Sequence, residues 1–398
     1  MCDYICNFVN FTIQLSVKFR DLSAQVHEYE MQERIARDSI APLLVKAFQP
    51  VTFMEHGFPV NYDGEKDLWK YIDSMHEGRF LSHCNELRGL TNDEYKLIES
   101  ALEICSEFTG TFYKKMAPIN SLTAALISFR SIKTFFESTN KEPSVIEIGP
   151  GSGLLGLLCG LSGYKYSSLE VTKSFSIYQY ALWKFAGIDL QVGSLGMGNV
   201  KSNFLQIPWW VWCNLETKLP KRDLVVANHV IREMHPLSLS FSIQRSIDLG
   251  SKYIAIDGIG WPKYLNNINY LSENTSIVHN NLYENNHLKT TILKFKDISQ
   301  DSLTRPDLVV KKKQRGLKAR LKSKILKRMY RSKVGIFLLE LRNSTFVNKQ
   351  ELSQNMAYPE FHYARADITI KSLVHKIGAD FITEDEQSII YAKHKGQI

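Results

Sequence analysis

Between Ser144 and Gly156 an apolar run of Val145, Ile146 and Ile148 carries a glutamate at position 147 and ends in glycines at 149, 151 and 153. A buried parallel strand followed by a backbone without side chains can turn sharply and let a ligand approach closely. The glycines alone leave two cofactor chemistries open, because the dinucleotide pattern G-x-G-x-x-G also fits Gly151, Gly153 and Gly156. Glu147 favours one of them. A carboxylate at the end of the strand repels a pyrophosphate but can pair with the ammonium of a methionine-type cofactor. The run Tyr164 to Leu169 reads as the next strand, and Glu170 closes it 21 residues after Gly149. At that distance a carboxylate can accept both ribose hydroxyls of either cofactor. The alternative is a surface glutamate ahead of a helix cap at Thr172 or Ser174.

A third strand-like run, from Arg222, leads into Asn228, His229, Glu233 and His235. Removing a proton near neutral pH suits histidine best, so His229 is the first candidate base and Glu233 the second. The alternatives are that His229 packs against an adenine or caps a turn, and that the charge of Glu233 complements a helix dipole. The run Ile207 to Trp212 holds three of the six tryptophans. Trp209 and Trp210 are substrate-side candidates, with plain core packing as the competing reading.

The stretch from Glu147 to Gly153 followed by Glu170 resembles the first two motifs of class I S-adenosylmethionine-dependent methyltransferases. The likeness continues through Arg222 to His235, similar to that fold's fourth strand, and Lys252 to Asp257, similar to its fifth. Within the class, Asn228 followed by Glu233 and Met234, with Ile207 to Trp210 upstream, is similar to sugar O-methyltransferases of bacterial surface-polysaccharide loci. The resemblance implies S-adenosyl-L-methionine held by Glu147, Gly149, Gly151, Gly153, Glu170 and Asn228. It also implies a sugar or glycan hydroxyl as acceptor, with His229 or Glu233 as catalytic base. Some sugar methyltransferases of this kind bind magnesium, but the carboxylates past the fifth strand are only Asp257 and, farther off, Glu273, so no metal is expected. Methylation of exocyclic amines in RNA usually shows Asn or Asp followed by Pro-Pro and an aromatic, whereas this chain has Asn228, His229, Val230 and Ile231. An RNA methyltransferase and a non-catalytic binding protein of the same fold remain as alternatives.

The elements that must position these residues alternate between strand and helix from residue 144 to 257, the pattern of an α/β protein with a Rossmann-like sheet and helices on both faces. Glu147, Glu170, Asn228 and Asp257 all close strands, so they converge on one rim. Residues 1–140 read as a mainly helical cap. Thr91 and Glu94 form a capping box, and Leu97, Ala101, Leu102, Cys105, Phe108 and Phe112 follow on one helical face. Residues 141–300 form the cofactor core, and residues 301–398 hold C-terminal elements expected to complete the sheet. The strand candidates there and nearby are 290–296, 335–341 and 387–393.

Composition bounds the partners. The chain has 398 residues, 44% of them hydrophobic, with no apolar run near the length of a membrane span. Six cysteines without a C-x-x-C pair suit reduced core thiols and a cytoplasmic location. Residues 311–333 hold twelve Lys or Arg and no acid, and without them the formal charge would be −4 rather than +8. Leu317, Leu321, Ile325 and Met329 recur every four residues there, which reads as a basic amphipathic helix. Such a helix can contact an anionic membrane surface, grip nucleic-acid phosphates, or cover the protein's own sheet.

Overall fold

The computed structural model describes residues 22–49, 62, 64–73, 79–198, 200, 202–257, 275–280, 290–295 and 360–381. Its N-terminal part is helical: α1 (22–39), α2 (Pro42–Ala47), a 3-10 segment (Glu65–Tyr71), α3 (Phe80–Leu87), α4 (Asn92–Gly110) and α5 (Ile119–Thr139), with a two-residue strand β1 (Met116–Ala117) between the last two. The capping box starts α4 as expected: the Glu94 N–H donates to Thr91 Oγ1, and the Thr91 N–H donates back to the Glu94 carboxylate. Glu94 has a second role. Its carboxylate accepts from Arg130 Nε at 2.6 Å and Nη2 at 2.8 Å, while Arg130 also donates to the carbonyls of Leu87 and Gly89. This buried, bidentate pair locks α3, α4 and α5 together, and deleting one partner of such a pair costs about 3–5 kcal/mol.

The sheet follows in chain order as β2 (Ser144–Ile148), α6 (Leu154–Leu161), β3 (Lys165–Glu170), α7 (Lys173–Phe185), β4 (Leu190–Val192), β5 (Phe204–Pro208), α8 (Trp209–Cys213), β6 (Leu224–Asn228), α9 (Pro236–Asp248), β7 (Tyr253–Asp257), β8 (Thr275–Asn280) and β9 (Thr291–Phe295). Its spatial order is β4-β5-β3-β2-β6-β7-β9-β8. All neighbours from β4 to β7 are parallel, whereas β9 runs antiparallel to both β7 and β8. The fold is therefore Rossmann-like α/β, with its order reversing between β2 and β6. The edge strand β4 has no counterpart in the sequence reading, its three residues being too short to show a period.

Each strand feeds two cores because successive side chains face opposite ways. Val145, Tyr166, Leu224 and Val226 join the apolar cluster with α3 to α7. Ile146, Ile148, Leu169, Val225 and Ala227 join the cluster on the other face with α8 and α9. Cys84, Cys105, Cys159 and Cys213 are buried free thiols.

Among the described residues, β8 and β9 extend the sheet beyond β7, and β9 is the run expected at 290–296. Residues 360–381 join the helical layer, through α10 (Ala366–Lys376) and β10 (Asp380–Phe381), which pairs in parallel with β1. The apolar face of α10, Ala366, Ile370, Leu373 and Val374, has helical spacing and is buried in the cluster shared with α3 and α4. The runs 335–341 and 387–393 and the basic run 311–333 lie outside the described residues. No described helix is long and apolar enough to cross a membrane.

Candidate active site

The strand order reverses between β2 and β6, and sheets of this kind bind ligands in the crevice outside the carboxyl ends of the strands at such a reversal. The turn after β2 bends through the left-handed region at Gly149, Gly151 and Gly153, with φ of +66°, +57° and +74°. Side chains are excluded for a second reason. A Cβ on Gly149 would lie 2.6 Å from Val230, and one on Gly153 would lie 2.7 Å from Gln179. Gly156 sits inside α6 against Trp183 and Tyr166, so its bareness serves helix-to-strand packing, which both cofactor readings allow.

Glu170 lies beneath this loop. It is 2% exposed, which rules out the surface alternative. Its carboxylate accepts from the backbone N–H of Val171 at 2.9 Å, Thr172 at 2.8 Å and Gly151 at 3.3 Å, and from Gln179. Thr172 makes no side-chain cap on α7, so Glu170 does the capping from outside the helix. Glu147 is also buried and points to the α6 side, where it accepts from the Tyr166 hydroxyl at 2.5 Å. Burial pushes both carboxyl groups up to about 7.

The rim beyond β6 and β7 differs in kind. Asn228 and Asp257 stand side by side in register, and the His229 N–H donates to the Asp257 carbonyl at 2.9 Å. The Oδ1 atoms of Asn228 and Asp257 are both buried and have no hydrogen-bond partner among the described residues. His229 has φ of +56°, an unusual conformation for a side chain of its size. Burial lowers its pKa, Asp257 opposes that shift, and Arg79 adds to it. Glu233 follows a 3-10 turn, Val230–Arg232, and is half-buried. His235 is occupied, its Nδ1 accepting from the Leu237 N–H as the cap of α9.

That the helical layer reaches this rim is visible only in three dimensions. His83 of α3 is fully buried and feels the charges of His229 and Arg79, while Glu86 of the same helix feels Asp257. His83 Nδ1 lies 3.3 Å from the Asn120 carbonyl. Asn120 is itself fixed: its N–H and side-chain amide donate to Asp73, which also accepts from the Ser121 N–H. Burial drives the His83 pKa down to about 4 and pushes the Glu86 and Asp73 carboxyls up to about 9 and about 6. Their only sequence signal was the spacing of Phe80, His83, Cys84 and Leu87 on one helical face, which reads as core.

Trp209 and Trp210, expected on the substrate side, are core residues 2% and 1% exposed. The cause is α1, which lies over the carboxyl ends of β3 and β5. Tyr29 meets Trp210 edge-on at 4.3 Å, Glu33 accepts from the Trp209 indole N–H, and Arg37 lies over the Trp209 ring. Glu30 pairs with Lys173 at the start of α7, extending the same contact.

No family model matches the sequence, and no curated protein matches it. Several solved structures are similar to part of the chain. A magnesium protoporphyrin IX methyltransferase from Synechocystis with bound S-adenosylmethionine is 10% identical over 44% of this chain and 82% of its own, with a TM-score of 0.31. A Pyrococcus horikoshii protein, PH0226, is 10% identical over 43% and 91%, with a TM-score of 0.32. An rRNA methylase from Streptococcus thermophilus is 13% identical over 42% and 96%, with a TM-score of 0.30. Superpositions at these scores assign neither activity nor acceptor.

Proposed function

We propose that this chain is an S-adenosylmethionine-dependent methyltransferase that modifies a hydroxyl group, with a sugar of a surface glycan as acceptor. The observation that carries this reading is the crevice between β2 and β6. There a loop of three left-handed glycines, a carboxylate beneath it at Glu170 and the unpartnered Oδ1 of Asn228 meet within one strand-end site. These residues suit the cofactor chemically. Gly149, Gly151 and Gly153 leave room for close approach, Glu170 is placed for ribose hydroxyls, and Asn228 offers an acceptor to an ammonium, with the buried carboxyl of Glu147 behind it. When bound, the cofactor supplies an electrophilic methyl group on a sulfonium that leaves as a neutral thioether.

The protein's own task is alignment and proton removal. Holding an acceptor oxygen in line replaces a chance encounter with a fixed geometry. His229 and Glu233 are the rim residues proposed to touch the reacting hydroxyl. The sugar acceptor rests on the motif likeness of Asn228, Glu233 and Met234. To test it, methyl-tritiated S-adenosylmethionine is incubated with the protein and nucleotide-activated hexoses, isolated glycans or ribosomal RNA. Label in a sugar, with a mass gain of one CH2, is expected; label confined to RNA replaces the acceptor assignment.

A further inference from the structure

One helix, α1, passes between the layers over the carboxyl ends of β3, β5 and β4. Its buried stripe starts at Leu22 in the cluster of the helical layer and continues through Tyr29 and Ala36 in the cluster on the opposite face of the sheet. Beyond β3, Glu30 pairs with Lys173 at 2.6 Å. Beyond β5, Tyr29 and Glu33 meet Trp210 and Trp209, and beyond β4 the Gln32 side chain accepts from the Leu195 N–H at 3.2 Å. Glu170 lies between the first two of these contacts, three residues before Lys173 and in register with Pro208, the residue preceding Trp209.

Two properties set this contact apart from ordinary core. Inside it the Tyr29 hydroxyl and the Trp210 indole N–H are buried and make no hydrogen bond among the described residues, although buried groups of this kind are nearly always bonded. An indole N–H can only donate, so what it lacks is an acceptor. The contact is also light. Only Leu22, Tyr29 and Ala36 of α1 are buried, against fifteen of the 21 residues of α5. The Glu30 side chain in the pair with Lys173 is 52% exposed, and exposed ion pairs hold weakly. A helix fastened in this way opens locally at small cost.

We propose that α1 is a strap that lifts to admit the cofactor, closes over its base and lifts again to release the spent cofactor. The inference rests on the methyltransferase reading: with the ribose hydroxyls at Glu170, the attached base falls under α1, and its ring nitrogens are the acceptors that the Tyr29 hydroxyl and Trp210 Nε1 lack. Glu170 is only 2% exposed, so a ribose does not reach it from solvent while α1 is in place. The tryptophans then belong to the enclosure of the cofactor rather than to the acceptor. Lids of this kind govern the rates of ligand entry and exit.

The test is surface plasmon resonance of S-adenosylhomocysteine over the tethered full chain, a ligand without the sulfonium charge and so little affected by charge changes nearby. Glu30→Lys sets like charges against each other at Lys173. It is expected to raise kon and koff together, each about fivefold, the most that an exposed pair of this kind supports, with Kd within about twofold of wild type. Combining Glu30→Lys with Lys173→Glu is expected to restore both rates to within about twofold. Tyr29→Phe, which removes only the hydroxyl, is expected to raise koff about fivefold and leave kon unchanged. Unchanged rates in Glu30→Lys, or a charge swap that does not restore them, overturn the strap. So does a rise in one rate only: kon alone puts α1 in the cofactor's own place, and koff alone makes it a fixed wall. An unchanged koff in Tyr29→Phe overturns the contact with the base. Failure of the folded wild type to bind S-adenosylhomocysteine defeats the methyltransferase reading and the strap with it.

Discussion

The two halves of the crevice are built on opposite principles. Around β2 and β3 the charged groups are closed by their own chain: Glu170 is capped by three backbone N–H groups and Gln179, and Glu147 by Tyr166. Around β6 and β7 the acceptors of Asn228 and Asp257 are left open, and charges from α3, more than a hundred residues earlier in the chain, act on this rim. The first half is a preformed cradle specified by local sequence. The second is completed by tertiary packing and, in the proposed reaction, by the acceptor itself.

The largest expected effect is in the cradle. Gly149→Val should destabilise the protein by about 3 kcal/mol or more and abolish cofactor binding, because strain at positive φ adds to the 2.6 Å approach to Val230. Gly196→Ala separates the two causes. Gly196 also has positive φ, at +70°, but nothing lies within 4 Å of its would-be Cβ, so denaturant unfolding should show a loss of only about 1 kcal/mol.

The second contrast is in pH. Glu147 and Glu170 titrate near 7 in the folded chain, above their ordinary value, so the fold favours their protonated forms. Their contribution to stability is full below the ordinary carboxylate range and is lost as pH rises through about 7. His83 leans the other way. With its pKa lowered to about 4, the fold favours the neutral ring, and that contribution is lost as pH falls from about 6.5 through about 4. Thermal unfolding from pH 4 to 9 should therefore decline at both ends. Glu147→Gln should flatten the alkaline arm and His83→Gln the acid arm; an acid arm unchanged in the latter contradicts the burial assigned to His83.

The smallest effect concerns the tryptophans. Trp209→Phe removes the bond to Glu33 and weakens the Arg37 contact, for a stability loss of about 1 kcal/mol with no change in acceptor KM. A rise in KM with stability intact would restore Trp209 to the substrate side.

What the sequence disclosed follows the same division. The strand at 144–148, the glycine turn, Glu170 and the capping box at Thr91 are signals carried within a few residues, so types and spacing suffice to read them. The pair of His83 and Glu86 is invisible to such reading, because His83 at its helical spacing looks like one more core position. The tryptophans misled for a related reason: aromatic residues after a strand suit a pocket, and only the passage of α1 over β3 and β5 turns them into core. The partner of α10 is equally hidden, because the spacing of Ala366, Ile370, Leu373 and Val374 does not tell whether an apolar face packs on strands or on helices.

The most direct test of the central claim is calorimetric titration of the purified chain with S-adenosylmethionine and, in parallel, with NADH, repeated on Glu170→Ala. Saturable binding of S-adenosylmethionine, absent for NADH and lost by about 100-fold or more in the variant, is the predicted result. Binding of NADH, or no binding of S-adenosylmethionine by a folded wild type, would contradict it.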